Sequence, residues 1–192
     1  MADSATAVIV VDMLNRYEHE DAEPLRESVR RMLPTLHDLI ADARKRDVLT
    51  VYVNDNHGDW TAGRGALTRW ALDGADRSLV EPIAPSRDVP FLVKARHSVF
   101  YATQLEYLLR QQGVGRLVLV GQVTEQCILY SALDAYVRHF QLVVPHDAVA
   151  HIDPELADAA LRMMETNMRA EITDAVSALG SRNPSAGKAR QA

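Results

Sequence analysis

Arg116-Leu117-Val118-Leu119-Val120-Gly121-Gln122-Val123-Thr124-Glu125-Gln126-Cys127 reads as a strand, a tight turn and the start of a helix. Leu117 to Val120 is apolar at every position, as a strand covered on both faces requires, and a glycine ends it. Beyond the chain's single cysteine, Ile128, Leu129, Ala132, Leu133 and Tyr136 recur at helical spacing. A thiol in the first turn of a helix meets unpaired N–H groups and the positive end of the macrodipole, both of which favour thiolate. Placement alone does not make a catalyst, because a lone cysteine also serves as a small buried hydrophobe. The decision rests on what else lies at strand ends.

Working outward, Ala7 to Val11 and Leu49 to Val53 are further β-branched runs of the buried-strand type. Between them Leu36, Leu39, Ile40 and Ala43 mark a helix that Pro34 is expected to open or kink. Asn54 to Arg87 reads as a long irregular connection with a short helix around Leu67 to Leu72. Connections of that length are usually functional. Phe91 to Val93 is a third strand, and Thr103 with Glu106 matches a capping box for a helix ended by Gly113. Gln141 to Val144 is a fifth strand. Asp153-Pro154 starts a helix carrying Leu156, Ala160, Leu161 and Met164, and a short strand over Ala170 to Ile172 closes the series.

Strands alternating with helices predict a three-layer α/β/α domain with a mostly parallel, Rossmann-like sheet of about six strands. One domain over residues 1–180 is expected, followed by a disordered tail over 181–192 that lacks large apolar residues. No Gly-x-Gly-x-x-Gly follows the first strand, where Asp12-Met13-Leu14-Asn15-Arg16-Tyr17 stands, so a dinucleotide-binding reading is rejected. The 21 basic and 26 acidic residues, net −5, argue against nucleic acid as a partner. No apolar run approaches the roughly 18 residues that span a bilayer, and no secretory signal is read at the start. One free cysteine suits a reducing cytoplasm.

Ligands of such sheets bind beyond the carboxyl ends of the strands. Three reactive side chains stand there: Asp12 after the first strand, Lys94 after the third, and Cys127 after the fourth. Their chemistry is complementary. A carboxylate takes the thiol proton and returns it to a leaving amine, while an ammonium beside them holds both anions oriented. No histidine follows a strand near Cys127, so a papain-like Cys–His pair is not expected.

These motifs resemble those of the isochorismatase-like cysteine hydrolases, which include nicotinamidases and N-carbamoyl amide hydrolases. The resemblance runs from Ala7 to Ile172 through Val10-Val11-Asp12-Met13-Leu14-Asn15, Lys94-Ala95-Arg96-His97-Ser98-Val99-Phe100, Gly121 to Cys127, and Asp147-Ala148. It implies a catalytic triad of Asp12, Lys94 and Cys127. It also implies a cis Gln122–Val123 bond and an oxyanion hole from the N–H groups of Val123 and Cys127. The implied reaction is cleavage of the C–N bond of a small amide through a thioester on Cys127. A vinyl-ether hydrolase of the isochorismatase type, or a non-catalytic binder of a ligand or partner, is the alternative. A homodimer or larger assembly is also implied. By position, Asn15, Tyr17, Asp55, His57, Trp60, Arg96, Phe100, Tyr101 and Tyr130 are expected to line the pocket. Nicotinamidases hold a metal through an Asp-x-His and further histidines; here no histidine lies between His57 and His97, so no metal or other cofactor is expected.

Overall fold

The computed structural model describes residues 4–180; the tail expected over 181–192 lies outside them. The chain runs through β1 (Ala5–Val11), α1 (Ala22–Lys45), β2 (Leu49–Asp55), α2 (Arg64–Leu72), β3 (Phe91–Lys94), α3 (Leu105–Gln111) and β4 (Val114–Gln122). A π-helical turn over Thr124–Ile128 leads into α4 (Leu129–Val137). Then come β5 (Gln141–Pro145), β6 (Val149–Ala150), α5 (Pro154–Met168), β7 (Glu171–Thr173) and α6 (Ala175–Ala178). The strands form one parallel sheet of order β3-β2-β1-β4-β5-β7, with β6 pairing β4 past the end of β5.

Because β1 is apolar at successive positions, it supplies both cores. Val8 and Val10 pack beneath α1 with Leu25, Val29, Leu36 and Leu39. Ala7, Ile9 and Val11 face the other layer, against Leu105, Leu109, Ile128, Ala132 and Met164. The mostly parallel α/β/α architecture is as expected, with seven strands rather than about six.

Two expectations about helices need correction. Helix α1 begins at Ala22 and runs through Pro34, which therefore does not open it. Leu25, Val29 and Met32 continue the buried stripe of Leu36, Leu39 and Ala43 backwards, and this burial outweighs the missing backbone donor. Thr103 also does not cap α3 as a box would: its Oγ1 donates to Val99 O (2.6 Å), and Leu105 N donates to it (3.3 Å). The proline-led start of α5 is as expected, with Asp153 Oδ1 accepting from Glu155 N (2.8 Å) and Leu156 N (3.0 Å).

The sheet order fixes where a site can lie. From β1 the chain first builds outward through β2 and β3, then returns to place β4 on the other side of β1. The switch point is therefore the β1/β4 crevice, which opens at the carboxyl ends. Val11 and Gly121 are paired there. A Cβ at Gly121 would lie 2.2 Å from Val11 O, and its φ is +110°. Only glycine permits that approach and that conformation.

Candidate active site

Asp12 leaves β1 at the crevice with φ +53°. Its Oδ1 accepts a hydrogen bond from Asp55 N (2.7 Å) at the end of β2, and its Oδ2 lies 2.8 Å from Lys94 Nζ. Lys94 is the last residue of β3, two strands away, and its long side chain crosses the end of β2 to reach Asp12. On the way it passes 3.6 Å from Asp55 Oδ2, and it ends 3.7 Å from Cys127 Sγ. The carboxylate, ammonium and sulfur expected from three strand ends do meet. The pair is closed off from water, with side chains 1% (Lys94) and 11% (Asp12) exposed.

Cys127 sits within the π-helical turn, where Gln126 N and Ile128 N both donate to Val123 O (3.1 Å each). The Gln122–Val123 bond is cis, as the resemblance implies. Gln122 is locked from below: its Nε2 donates to Asp12 O (2.6 Å) and its Oε1 accepts from the Tyr17 hydroxyl (3.3 Å). Asp12's backbone and the β4 exit are thereby tied together. Glu125 Oε1 accepts from Ile152 N and Asp153 N (2.9 Å each), which fixes the outer side of the turn to the start of α5.

The expected thiolate is not the resting form. Burial pushes the Cys127 thiol well above the usual range, and the Asp12 charge adds to the shift. Lys94 and the Val123 N–H, which faces the sulfur, pull the other way without cancelling it. The direction is opposite to the one a helix start suggests, because burial is its largest cause. For Lys94, burial alone disfavours the ammonium, yet Asp12, Cys127 and Asp55 together hold it above the usual lysine value. The resting site is a neutral thiol against a buried ion pair.

The expected pocket residues divide. Asp55 and Tyr130 lie beside the three groups: Asp55 touches Lys94, and Tyr130, half exposed, stands 5.3 Å ring to ring from His97. Trp60 (82% exposed) and Tyr101 are on the surface. Asn15 caps its own turn through Oδ1, which accepts from Tyr17 N (2.7 Å). Tyr17 is buried against Gln122. Phe100 is a correction: at 6% exposure it stacks on Phe140 (5.9 Å) with Arg138 over its face, as part of the core. His57 stacks on Trp70 (4.5 Å) and holds Nε2 3.0 Å from Leu14 O, so that nitrogen carries the proton and donates. An Asp55–His57 metal pair does not fit this arrangement. Among the described residues no three His, Cys, Asp or Glu side chains cluster as metal ligands.

His97 is the residue that sequence reasoning missed. Its Nδ1 lies 3.8 Å from Cys127 Sγ, so a histidine does stand beside the cysteine, contrary to expectation. It is three residues beyond the strand that carries Lys94, in a loop without periodicity. An open groove of about 400 Å³ beside Arg116, Tyr136, Phe140 and Gln141 lies at the opposite, amino edge of β4 and β5 and plays no part here.

A buried Asp–Lys–Cys constellation at the switch point of a doubly wound parallel sheet defines the class. The chain belongs to the isochorismatase family, whose domain model matches residues 6–177. It is 32% identical to the uncharacterized isochorismatase family protein YaaI of Bacillus subtilis, over 90% of this chain and 96% of that protein. It is 28% identical to the ureidoacrylate amidohydrolase RutB of an Enterobacter species, over 92% and 91% of the two chains. The structure of N-carbamoylsarcosine amidase from Thermoplasma acidophilum superimposes with a TM-score of 0.68 at 26% identity, covering 89% of this chain and 96% of that one. No helix among the described residues is long and apolar enough to cross a membrane.

Proposed function

We propose that the protein is an amidohydrolase that cleaves the C–N bond of a small-molecule amide through a thioester on Cys127. The observation that carries this reading is a single ammonium in contact with both a carboxylate and a sulfur, Lys94 Nζ at 2.8 Å from Asp12 Oδ2 and 3.7 Å from Cys127 Sγ. Similarity to a ureidoacrylate amidohydrolase and to an N-carbamoylsarcosine amidase supports the C–N bond as the target.

In this mechanism Asp12 takes the thiol proton as the sulfur attacks the carbonyl carbon. The N–H groups of Val123 and Cys127 receive the oxyanion, a contribution of about 3–4 kcal/mol per donor in comparable sites. Asp12 passes its proton to the leaving nitrogen, and the amine departs. Water then gives a proton to Asp12 and attacks the thioester, releasing the acid and restoring the thiol. Lys94 keeps its charge throughout. By the family's habit we expect a homo-oligomer working in the cytoplasm.

Ammonia release from a panel of small amides, with intact-mass detection of an acyl adduct on Cys127, tests the reading. Cys127→Ala is expected to lower turnover at least about a thousandfold. Full turnover by that variant rejects the nucleophile, and turnover of isochorismate that survives it moves the assignment to vinyl-ether hydrolysis.

A further inference from the structure

A helix laid on a sheet turns its large apolar side chains inward and its charges outward. Helix α4 departs from this. The residues it buries are small: Ser131, Ala132 and Ala135. Its solvent side carries Tyr130, Leu133, Tyr136 and Val137, each 39–57% exposed. Helix α5, which packs beside it, exposes Leu156 and Met163, seven residues apart on one flank. The opposite layer keeps the usual arrangement, for α1, 24 residues long, exposes no large apolar side chain. A helix apolar on all sides belongs in an interior.

From this asymmetry we propose that α4, flanked by α5, packs against α4 of a second copy of this chain across a two-fold axis. This goes beyond the expected homo-oligomer by assigning its contact face. Three observations select the occupant. The first is area: the six side chains leave on the order of 600 Å² open, the upper end of what an ordinary monomer shows in one patch. Two such faces bury about 1,200 Å², enough for a specific interface. The second is charge. Asp134 is the single charged residue of α4, and it is bonded to Arg138 (2.6 Å), which also holds Glu106 (2.9 Å). A face whose charges are settled among themselves gives a charged partner nothing to match, and suits its own copy in an isologous contact. The third is the rest of the chain. Residues 181–192 contain no large apolar side chain to lay on the face. The described chain ends at Gly180 on the opposite layer, where Arg46 Nη1 donates to the Gly180 carbonyl oxygen (2.8 Å).

The contact reaches the candidate site. Tyr130, in the first turn of α4, stands 5.3 Å ring to ring from His97, whose Nδ1 is 3.8 Å from Cys127 Sγ. Leu133, midway along α4, falls nearest the axis in a symmetric crossing of the two helices.

Sedimentation equilibrium and native mass spectrometry of the full chain at micromolar concentration test this. Wild type is expected as a dimer or an even multiple of one. Leu133→Glu and Leu133→Lys each set like charges face to face at the axis. Each should weaken the contact at least about a hundredfold and halve the mass of the assembly. Mixed together, the two variants should restore the wild-type mass with equal numbers of each copy, a recovery that misfolded chains could not give. Val176→Glu, which puts a charge on an 88% exposed side chain of the opposite layer, should leave the assembly whole. A monomeric wild type overturns the proposal and the expected homo-oligomer with it. An assembly that survives Leu133→Glu, or charge variants that do not recombine, overturns the α4 contact alone.

Discussion

Replacing Lys94 by Met separates what the ammonium does for the fold from what it does for the chemistry. In the native protein it is 1% exposed and lies 2.8 Å from Asp12 Oδ2 and 3.6 Å from Asp55 Oδ2. Met fills a similar volume but leaves the Asp12 carboxylate buried with no cation, only the Asp55 N–H and the Cys127 thiol beside it. Breaking one partner of a buried ion pair costs about 3–5 kcal/mol. At a urea slope of about 2 kcal/mol/M this moves the unfolding midpoint down by roughly 1.5–2.5 M. The raised Lys94 value fixes the sign with pH. Its stabilisation is fully present below the usual lysine range and is lost only as pH rises through the raised folded value, so the deficit should be constant from neutral pH to about pH 9. Adding Asp12→Asn removes the stranded charge, and the double variant should regain at least about 1 kcal/mol by urea titration while remaining inactive. A Lys94→Met protein as stable as wild type, or a double variant no more stable than the single, would refute the buried, charged pair.

Two other outcomes follow from the same geometry. Asp12→Asn should abolish turnover yet speed iodoacetamide labelling of Cys127 at pH 7 about tenfold: burial still raises the thiol, but the second cause of its rise is gone while Lys94 still pulls it down; slower labelling contradicts this. Gly121→Ala places a Cβ 2.2 Å from Val11 O at φ +110° and should cost about 3 kcal/mol or more in a urea melt, with under 1 kcal/mol refuting the close β1–β4 approach.

The three reactive groups were legible because each follows an apolar run whose only stable setting is a buried parallel strand, and such strands all point their carboxyl ends at one rim. The rest of the site has no such signal. His97 lies in a loop positioned by one long-range hydrogen bond, Val99 N to Ser131 Oγ, which no periodicity announces. Phe100, in the same loop, looked like a pocket wall, but loop aromatics turn inward when a core cavity needs filling, as Phe100 does against Phe140. The two-residue β6 exists only because its register places Val149 beside Gly121. The front half of α1 was obscured by Arg26, Glu27, Arg30 and Arg31, whose charges dilute a stripe that is continuous once drawn on a helix. The ionisation state of the thiol was misjudged for a related reason: a helix start is visible in sequence, and depth of burial is not.

That misjudgement bears on how the proposed reaction begins. If the thiol rests protonated, attack requires its proton to move to Asp12, which shifts a negative charge from Oδ2 to Sγ in a poorly solvated site. The cost depends on what faces both atoms, and Lys94 Nζ does, at 2.8 and 3.7 Å. At an effective dielectric of about 20 the ammonium stabilises a charge at those distances by about 6 and 4.5 kcal/mol, so the transfer forfeits only about 1.5 kcal/mol of that attraction, roughly one power of ten. No new charge is created and none must be solvated by water. An ammonium paired to the carboxylate alone would oppose the transfer by most of its attraction. In the proposed reaction the position of Lys94 facing both atoms lets a buried thiol serve as nucleophile, which gives a reason for a lysine to reach across an entire strand.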